Sequence, residues 1–303
     1  MIRTMDELLA EAAKGEPGRL AVAVAQDSYV LDAVIKAAEQ NIVEPVLVGD
    51  AEEIRTVLTK LGAAPTAYRI IDEPDKAEAC MVAARLVRDG EADFIMKGIV
   101  DTAVIMRAIL NRDNGLRTGR TISDVLALQI EGFDRLFLVT DPAMSIAPTL
   151  EQKADLIRNA VQIAHVLGNE CPKVAALAAV EKVNEKMSCT VEAAELAAMN
   201  QRGEIEGCVV DGPLQFDNVV SEEAAKHKGI ESPVAGKADV LLVPDIEAGN
   251  MLVKAAEYFG HAKKAGVIVG AKAPVALTSR ASSAESKLYT LAIARLVARG
   301  QAA

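Results

Sequence analysis

Residues 265–289 read AGVIVGAKAPVALTSRASSAESKLY. Two apolar, β-branched runs, Val267-Ile268-Val269 and Pro274-Val275-Ala276-Leu277, flank a Gly/Lys/Pro turn, and the second empties into Thr278-Ser279-Arg280. A small helix-rich segment follows. Where a strand of an α/β sheet hands over to the next helix, backbone N–H groups and side chains converge on anionic ligands. A hydroxyl beside a guanidinium at that place, Ser279 beside Arg280, points to phosphate and oxyanion chemistry. The same residues also admit a plainer reading. Ser282 with Glu285 three positions later is a capping box, and Ser279-Arg280 is then the loop that leads into it.

Outward from this stretch the chain alternates between strand and helix patterns. Thr4 and Glu7 form a capping box for a first helix to about Lys14, and residues 20–25 (LAVAVA) read as a buried parallel strand. Ser28 caps a helix to about Gln40, residues 45–49 form a second strand, and 52–61 a helix closed by Gly62, which makes a βαβ unit. Strand, helix and strand follow at 68–71, 75–88 and 93–96, and the next helix starts near Thr102. Residues 111–119 are a long turn-rich loop and a domain edge. The alternation resumes with a strand at 136–140 and a helix opened by a Thr149/Gln152 box and running to Gly168. It continues through 174–180, 190–201, 208–213, 221–228 and 239–244 to a helix that Gly249-Asn250 opens and Phe259 ends. The fold class is therefore α/β with mostly parallel sheets and right-handed crossovers.

Composition removes several function classes. In 303 residues, 33 basic and 43 acidic side chains leave a net charge of −10, which argues against a nucleic-acid or anionic-membrane surface. No apolar run is long enough to cross a bilayer, and the first residues are too charged for a signal peptide, so a cytoplasmic protein is expected. Cys80, Cys171, Cys189 and Cys208 form no CxxC pair, and with His165, His227 and His261 they offer no zinc-binding spacing. The cysteines read as buried small apolar groups in a reducing compartment. No histidine is assigned a role.

Other strand ends carry candidate ligand groups. Lys97-Gly98 leads through Asp101 to Thr102 in a strand-to-helix turn that is neither a Walker sequence nor GxGxxG, and alone it is a weak phosphate signal. Arg107, Arg112, Arg117 and Arg120 cluster with Asp113 as the only acid among them, and they read as a solvated run as readily as a binding cluster. Acidic turns at Thr140-Asp141-Pro142, Val210-Asp211-Gly212-Pro213 and 244–250 each satisfy ordinary turn chemistry. Together they suggest one lined edge, with Asp211, Gly212, Asp245, Glu247 and Asn250 facing the Ser279-Arg280 edge across a cleft.

The runs VDGPLQFDNVVS (210–221), SPVAGKADVLLVPDIEAGN (232–250) and AGVIVGAKAPVALTSR (265–280) resemble the phosphate acetyltransferase and phosphate butyryltransferase family. MKGIVDT (96–102), ILNRDNGLRTG (109–119) and RLFLVTDPAM (135–144) extend the resemblance over essentially the whole chain. Short length, LTSRA and GLRTG look more like the butyryl branch. The resemblance implies two α/β domains flanking a cleft, an architecture shared with isocitrate and isopropylmalate dehydrogenases. It divides the chain into 1–120 plus 271–303 and 121–270, and it implies a homodimer or higher homo-oligomer.

The implied reaction takes a short-chain acyl-CoA, butyryl-CoA by preference, and inorganic phosphate to acyl phosphate and coenzyme A. Coenzyme A and phosphate are substrates, and no metal or redox cofactor is implied. Direct attack by phosphate in a ternary complex is expected, since no cysteine accompanies a histidine in these motifs. Ser279 and Arg280 resemble the family's oxyanion-stabilising residues. Arg280, Arg107 and the Lys97-Gly98 turn can hold phosphate, with Thr102 and Ser286 in the same phosphate and CoA region. One departure concerns the thiol. The family's acidic pair is Glu285-Ser286 here, so Glu285 either takes the role of thiol base or only caps its helix. Another is Asp124, where many butyryl-branch sequences carry histidine. The alternatives are an acetyl-CoA enzyme, a metal- and NAD-dependent decarboxylating dehydrogenase, whose aspartate cluster the turns do not match, and a silent acyl-CoA-binding protein, against which Ser279-Arg280 argues.

Overall fold

The computed structural model describes residues 1–113, 116–279 and 282–302. Two compact units make up the chain: Met5–Arg120 with Ala265–Ala303, and Thr121–Lys264 with Met1–Thr4. The first unit opens with α1 (Met5–Ala12), β1 (Gly18–Ala23), α2 (Ser28–Glu39), β2 (Val43–Gly49), α3 (Ala51–Lys60), β3 (Arg69–Asp72), α4 (Lys76–Arg88), β4 (Phe94–Lys97) and α5 (Thr102–Ile109). β1 pairs in parallel with β2 on one side and β4 on the other, and β2 pairs in parallel with β3. Leu20, Ala21, Val22 and Ala23 are fully buried, as a strand covered on both faces requires. Aspartates set the helix starts. Asp27, Asp50 and Asp75 accept backbone N–H groups from Val30, from Glu52 and Glu53, and from Glu78. Asp27, rather than the expected Ser28, is the cap of α2, because its extended backbone lets its carboxylate reach the third residue on.

The second unit contains β5 (Ser123–Gln129), β6 (Leu136–Thr140), α6 (Leu150–Val166), β7 (Lys173–Leu177), α7 (Ser188–Gln201), β8 (Val209–Leu214), α8 (Phe216–Val220), α9 (Glu222–His227), β9 (Val240–Leu242) and α10 (Ile246–Tyr258). Its strand order is β5-β6-β9-β7-β8. β5 runs antiparallel to β6, and the remaining pairs are parallel. The Thr149/Gln152 capping box is formed in full at the start of α6. α10 begins earlier than Gly249-Asn250. Asp245 caps it through the Ala248 N–H at 2.8 Å, and Gly249 lies inside the helix, where a Cβ would sit 2.9 Å from Pro142 Cα.

The chain then returns to the first unit through β10 (Lys263–Val269), β11 (Val275–Ala276) and α11 (Ala284–Ala302). β11 pairs in parallel with β4 and antiparallel with β10, so that unit's order is β3-β2-β1-β4-β11-β10. α11 packs on α1 and α2, with Leu291, Ala292, Ile293 and Ala294 fully buried. Its start differs from the expected Ser282/Glu285 box. Ser283 is the cap, its Oγ accepting the Ser286 N–H at 3.1 Å, while Ser282 is drawn into a turn by its own N–H to the Ser279 carbonyl. Among the cysteines only Cys80 is buried. Cys189 and Cys208 are half-buried, and Cys171 is exposed in the turn after α6. No helix among the described residues is long and apolar enough to cross a membrane.

The 121–264 unit buries two carboxyl groups side by side. β5 and β6 pair antiparallel with Val125 opposite Thr140, which sets Asp124 against Asp141. Burial raises the pKa of Asp141 above its ordinary value, and the N–H groups of Ala143, Met144 and Ser145, which it accepts at 2.9, 2.9 and 3.1 Å, oppose that rise. Asp124 is left to carry the cost. Burial first, and the Asp141 charge second, push its pKa from 3.8 up to about 8, with Lys264 opposing. The folded chain thus holds a proton that the unfolded chain has released. Asp124's contribution to stability is whole below pH 3.8 and is lost as pH rises to about 8. Thermal melts from pH 5 to 9 should therefore show wild-type stability falling by up to about 1.4 kcal/mol per pH unit from this group. Asp124→Asn, which carries no charge at any pH, should flatten that slope; an unchanged slope would show that Asp124 is ionised throughout.

Candidate active site

A cavity of about 730 Å³ opens in the 5–120/265–303 unit, where β4 and β11 end and α2, α4 and α5 begin. Lys97 and Gly98 supply one wall, and Thr278 and Ser279 another. The position follows from the topology, since the C-terminal edge of a parallel sheet gathers helix N-termini whose N–H groups favour anions. The Lys97-Gly98 turn is held by β1. Gly98 N–H donates to the Ala23 carbonyl at 2.8 Å, and Ile99 N–H to the Val24 carbonyl at 2.9 Å. To present that carbonyl Val24 takes φ +60°, a left-handed conformation that costs a β-branched residue on the order of 1–3 kcal/mol. Gly98 has no alternative there, because a Cβ would lie 2.0 Å from the Val24 carbonyl oxygen.

The cavity carries both signs of charge, with Asp27, Asp75 and Asp101 in its wall beside Lys76, Lys97 and Lys287. Lys97 is 7% exposed, and its Nζ donates to the Val100 and Gly98 carbonyls at 3.0 and 3.4 Å. Lys287, from the first turns of α11, lines the same cavity at 3% exposure. Cys80 lies nearby on α4 and is no thiolate nucleophile. Burial pushes its thiol from 9.0 up to about 11, although the Lys97 charge works the other way.

The structure sorts the residues singled out in the sequence. Lys97, Gly98 and Ser279 meet at one cavity. Thr102 opens α5 beside it, between the lining residues Asp101 and Val104, without lining it. Arg107, in the last turn of α5, is exposed and off the wall. Glu285 is exposed, also off the wall, and bonded to the Tyr289 hydroxyl at 2.6 Å; Ser286 is buried, with its N–H on Ser283. Arg280 lies outside the described residues. In the other unit, Asp211 and Gly212 line a separate cavity of about 690 Å³ with Glu181 and Lys228. Asp245, Glu247 and Asn250 belong to the start of α10 and do not line it. Among the described residues no three His, Cys, Asp or Glu side chains are grouped to hold a metal ion. Asp27, Tyr29, Asp75, Lys76, Thr278 and Lys287 are among the cavity residues that sequence reasoning missed.

Comparison with known proteins follows this geometry. A family model described as "Phosphate acetyl/butaryl transferase" matches residues 4–79 and 72–295. The chain is 47% identical over 298 residues to the phosphate butyryltransferase of Clostridium acetobutylicum, covering 98% of this chain and 99% of the relative. It is 50% identical over 292 residues to the phosphate acetyltransferase of Thermotoga maritima, covering 96% and 99%. A branched-chain phosphotransacylase structure from Enterococcus faecalis V583 superposes with a TM-score of 0.82 at 34% identity, covering 92% of this chain and 98% of that one. The fold alone extends further, to a 4-hydroxythreonine-4-phosphate dehydrogenase from Klebsiella pneumoniae with a TM-score of 0.59 at 16% identity, covering 93% and 99%.

Gly98→Ala should cost about 2 kcal/mol or more in thermal or denaturant unfolding, because the obstacle is backbone and cannot rotate away. A variant as stable as wild type would mean that the β1–β4 junction yields more readily than its hydrogen bonds suggest.

Proposed function

Because the chain belongs to the phosphate acetyl/butyryl transferase family, we propose that it moves a short-chain acyl group between coenzyme A and inorganic phosphate, with butyryl-CoA preferred over acetyl-CoA. The observation that carries this reading is the meeting of Ser279, Lys97 and Gly98, from opposite ends of the chain, on one cavity wall. In the reaction a phosphate oxygen attacks the thioester carbon directly in a ternary complex, and the C–S bond breaks toward sulfur. Lys97 holds the phosphate at the Lys97-Gly98 turn, with Arg280 as the guanidinium partner; Arg107, exposed and off the wall, has no part in this scheme. Ser279 and Arg280 aim donors at the developing oxyanion. The unreactive Cys80 thiol is in keeping with direct attack. Glu285, tied to Tyr289, serves the helix end in this scheme and not the thiol.

A thioester is already an activated acyl donor and no electrons change hands, so the scheme calls for neither metal nor redox cofactor. We further infer a homodimer or higher homo-oligomer, supported by Met251, Tyr258 and Phe259 of the α10 region, which are 66, 65 and 86% exposed. A cytoplasmic setting fits acyl-CoA as substrate and four cysteines without a disulfide. Acetyl-CoA is the second reading, favoured by the likeness to the Thermotoga maritima acetyltransferase.

The test is release of free CoA thiol from acetyl-, butyryl- and isobutyryl-CoA with and without phosphate. Release should require phosphate, and butyryl-CoA should lead in kcat/KM by a margin set by about 1–3 kcal/mol per methylene. A lead for acetyl-CoA moves the protein to the second reading, and release without phosphate sinks both. Ser279→Ala and Arg280→Ala should each lower kcat about a hundredfold with CoA still bound; full activity in both variants would remove them from the site.

A further inference from the structure

The N-terminal ends of β7 and β8 bring together two cysteines that are distant in the chain. β7 and β8 pair in parallel with Lys173 opposite Val209, and the Val209 N–H donates to the Pro172 carbonyl at 3.1 Å. Cys208 therefore stands opposite Pro172, and Cys171 is the next residue back. Parallel strands lie about 4.8 Å apart and rise about 3.3 Å per residue, which sets the Cys171 and Cys208 Cα atoms about 6 Å apart. A disulfide takes Cα atoms between about 4.4 and 6.8 Å apart. Both residues sit in bends ahead of their strands, so the alternation of faces along a strand does not hold their side chains apart. The thiols also sense each other. Burial pushes the Cys208 thiol from 9.0 up to about 11, and the charge of Cys171 adds to that rise.

Each bend is fastened to its surroundings. Gly207, at φ +74°, reverses the chain just before Cys208, and His165 Nε2 donates to its carbonyl at 2.8 Å. Asn200 grips the same bend from α7, its Nδ2 donating to the Cys208 carbonyl and its Oδ1 accepting the Val210 N–H, both at 3.0 Å. Asn169, whose N–H closes the end of α6 on the Ala164 carbonyl at 2.9 Å, accepts the Cys171 N–H on its Oδ1 at 3.4 Å. With both backbones set, a bridge asks for side-chain rotation alone. Access differs between the two thiols. Cys171 is exposed and Cys208 half-buried, and both are free. A peroxide therefore meets Cys171 first.

We propose that Cys171 and Cys208 form an oxidative modification site, a reversible disulfide that peroxide closes and small thiols reopen. The Cys171 sulfur attacks one peroxide oxygen, the O–O bond breaks, and the departing hydroxide takes the Cys171 proton as water. The Cys208 sulfur then attacks the sulfenic sulfur. The S–S bond forms, the S–O bond breaks, and the second hydroxide leaves as water with the Cys208 proton. Two thiols and one peroxide thus give one disulfide and two waters. The exposed Cys171 end leaves the bridge open to thiol–disulfide exchange. The bond ties the entry of β7 to the entry of β8 and closes a loop of about forty residues, which restricts the unfolded chain more than the folded one.

The test is a thiol count and peptide mass map of the whole protein before and after a few equivalents of hydrogen peroxide, repeated after dithiothreitol. Wild type should lose two of its four thiols, yield a linked Cys171–Cys208 peptide within one chain, and recover all four on reduction. Cys208→Ser should instead accumulate a sulfenic acid at Cys171, trapped by dimedone, and Cys171→Ser should keep its remaining thiols under the same exposure. Oxidised wild type should melt about 5 °C above the reduced protein, a gap absent from both variants. Cys171→Ser changes an exposed side chain, so the comparison stands even if Cys208→Ser is unstable. Retention of all four thiols overturns the proposal, as does sulfinic acid at Cys171 without a linked peptide. Linkage to Cys189 or between two copies overturns it too, and so does a bridge that resists dithiothreitol or leaves the melting temperature unchanged.

Discussion

The end of β1 and the turn after β4 share a space too narrow for any side chain, and the cavity depends on that contact. Gly98 and Ile99 hang their N–H groups on the last carbonyls of β1, and Val24 accepts a left-handed backbone so that its carbonyl points the right way. Lys97 is thereby fixed at the sheet edge, with its ammonium directed onto the carbonyls of the same turn. β11 pairs with β4 at Ile95 and Met96, immediately before that turn. Thr278 and Ser279 leave β11 at the same edge. The strain at Val24 is local, while the pairings on either side of it are extensive, which is how a folded chain retains an unfavourable conformation.

Both units bury like charges, by different means. In the unit of 121–264 two carboxyl groups are set against each other; burial raises both, and Asp124, which reaches about 8, gains a proton on folding, while backbone N–H groups oppose the rise at Asp141. In the other unit Lys97 and Lys287 both donate to backbone carbonyls on a cavity wall. The first arrangement is closed by its own hydrogen bonds. The second borders an open cavity that Asp27, Asp75 and Asp101 line as well.

Alternation of apolar runs with capped helices made most elements of the fold legible, and the Thr149/Gln152 box marked its helix start correctly because both halves of the signal lie only three positions apart. β5 escaped notice. It opens on Ser123 and Asp124, which hydropathy assigns to the surface and which are in fact buried; Asn159, donating to the Ser123 hydroxyl at 2.8 Å, and the facing Asp141 account for them. α8 was missed as well, being five residues long and too short for a periodic pattern. At the site, Lys97-Gly98 was readable because a glycine at a strand-to-helix turn has few reasons to be there. Lys287 was not, because a lysine between Ser286 and Leu288 looks like the wet face of a helix until the loop ahead of it is seen to fold over its ammonium. The part of the cavity that escaped is the part made by contacts of Ser282 and Ser283 with their own helix.

The interleaving of the two units also constrains how the protein is made. β11 is the strand beside β4, and α11 covers α1 and α2, yet this segment follows the whole of 121–264 in the chain. During synthesis the first-made half therefore waits with one edge of β4 unpaired and the apolar faces of α1 and α2 uncovered while the intervening unit is translated. The middle unit takes only residues 1–4 from outside its own stretch. Long-range closure of this kind slows folding and leaves an open strand edge exposed to other chains, so the nascent protein should rely on chaperones more heavily than one whose domains are finished in order.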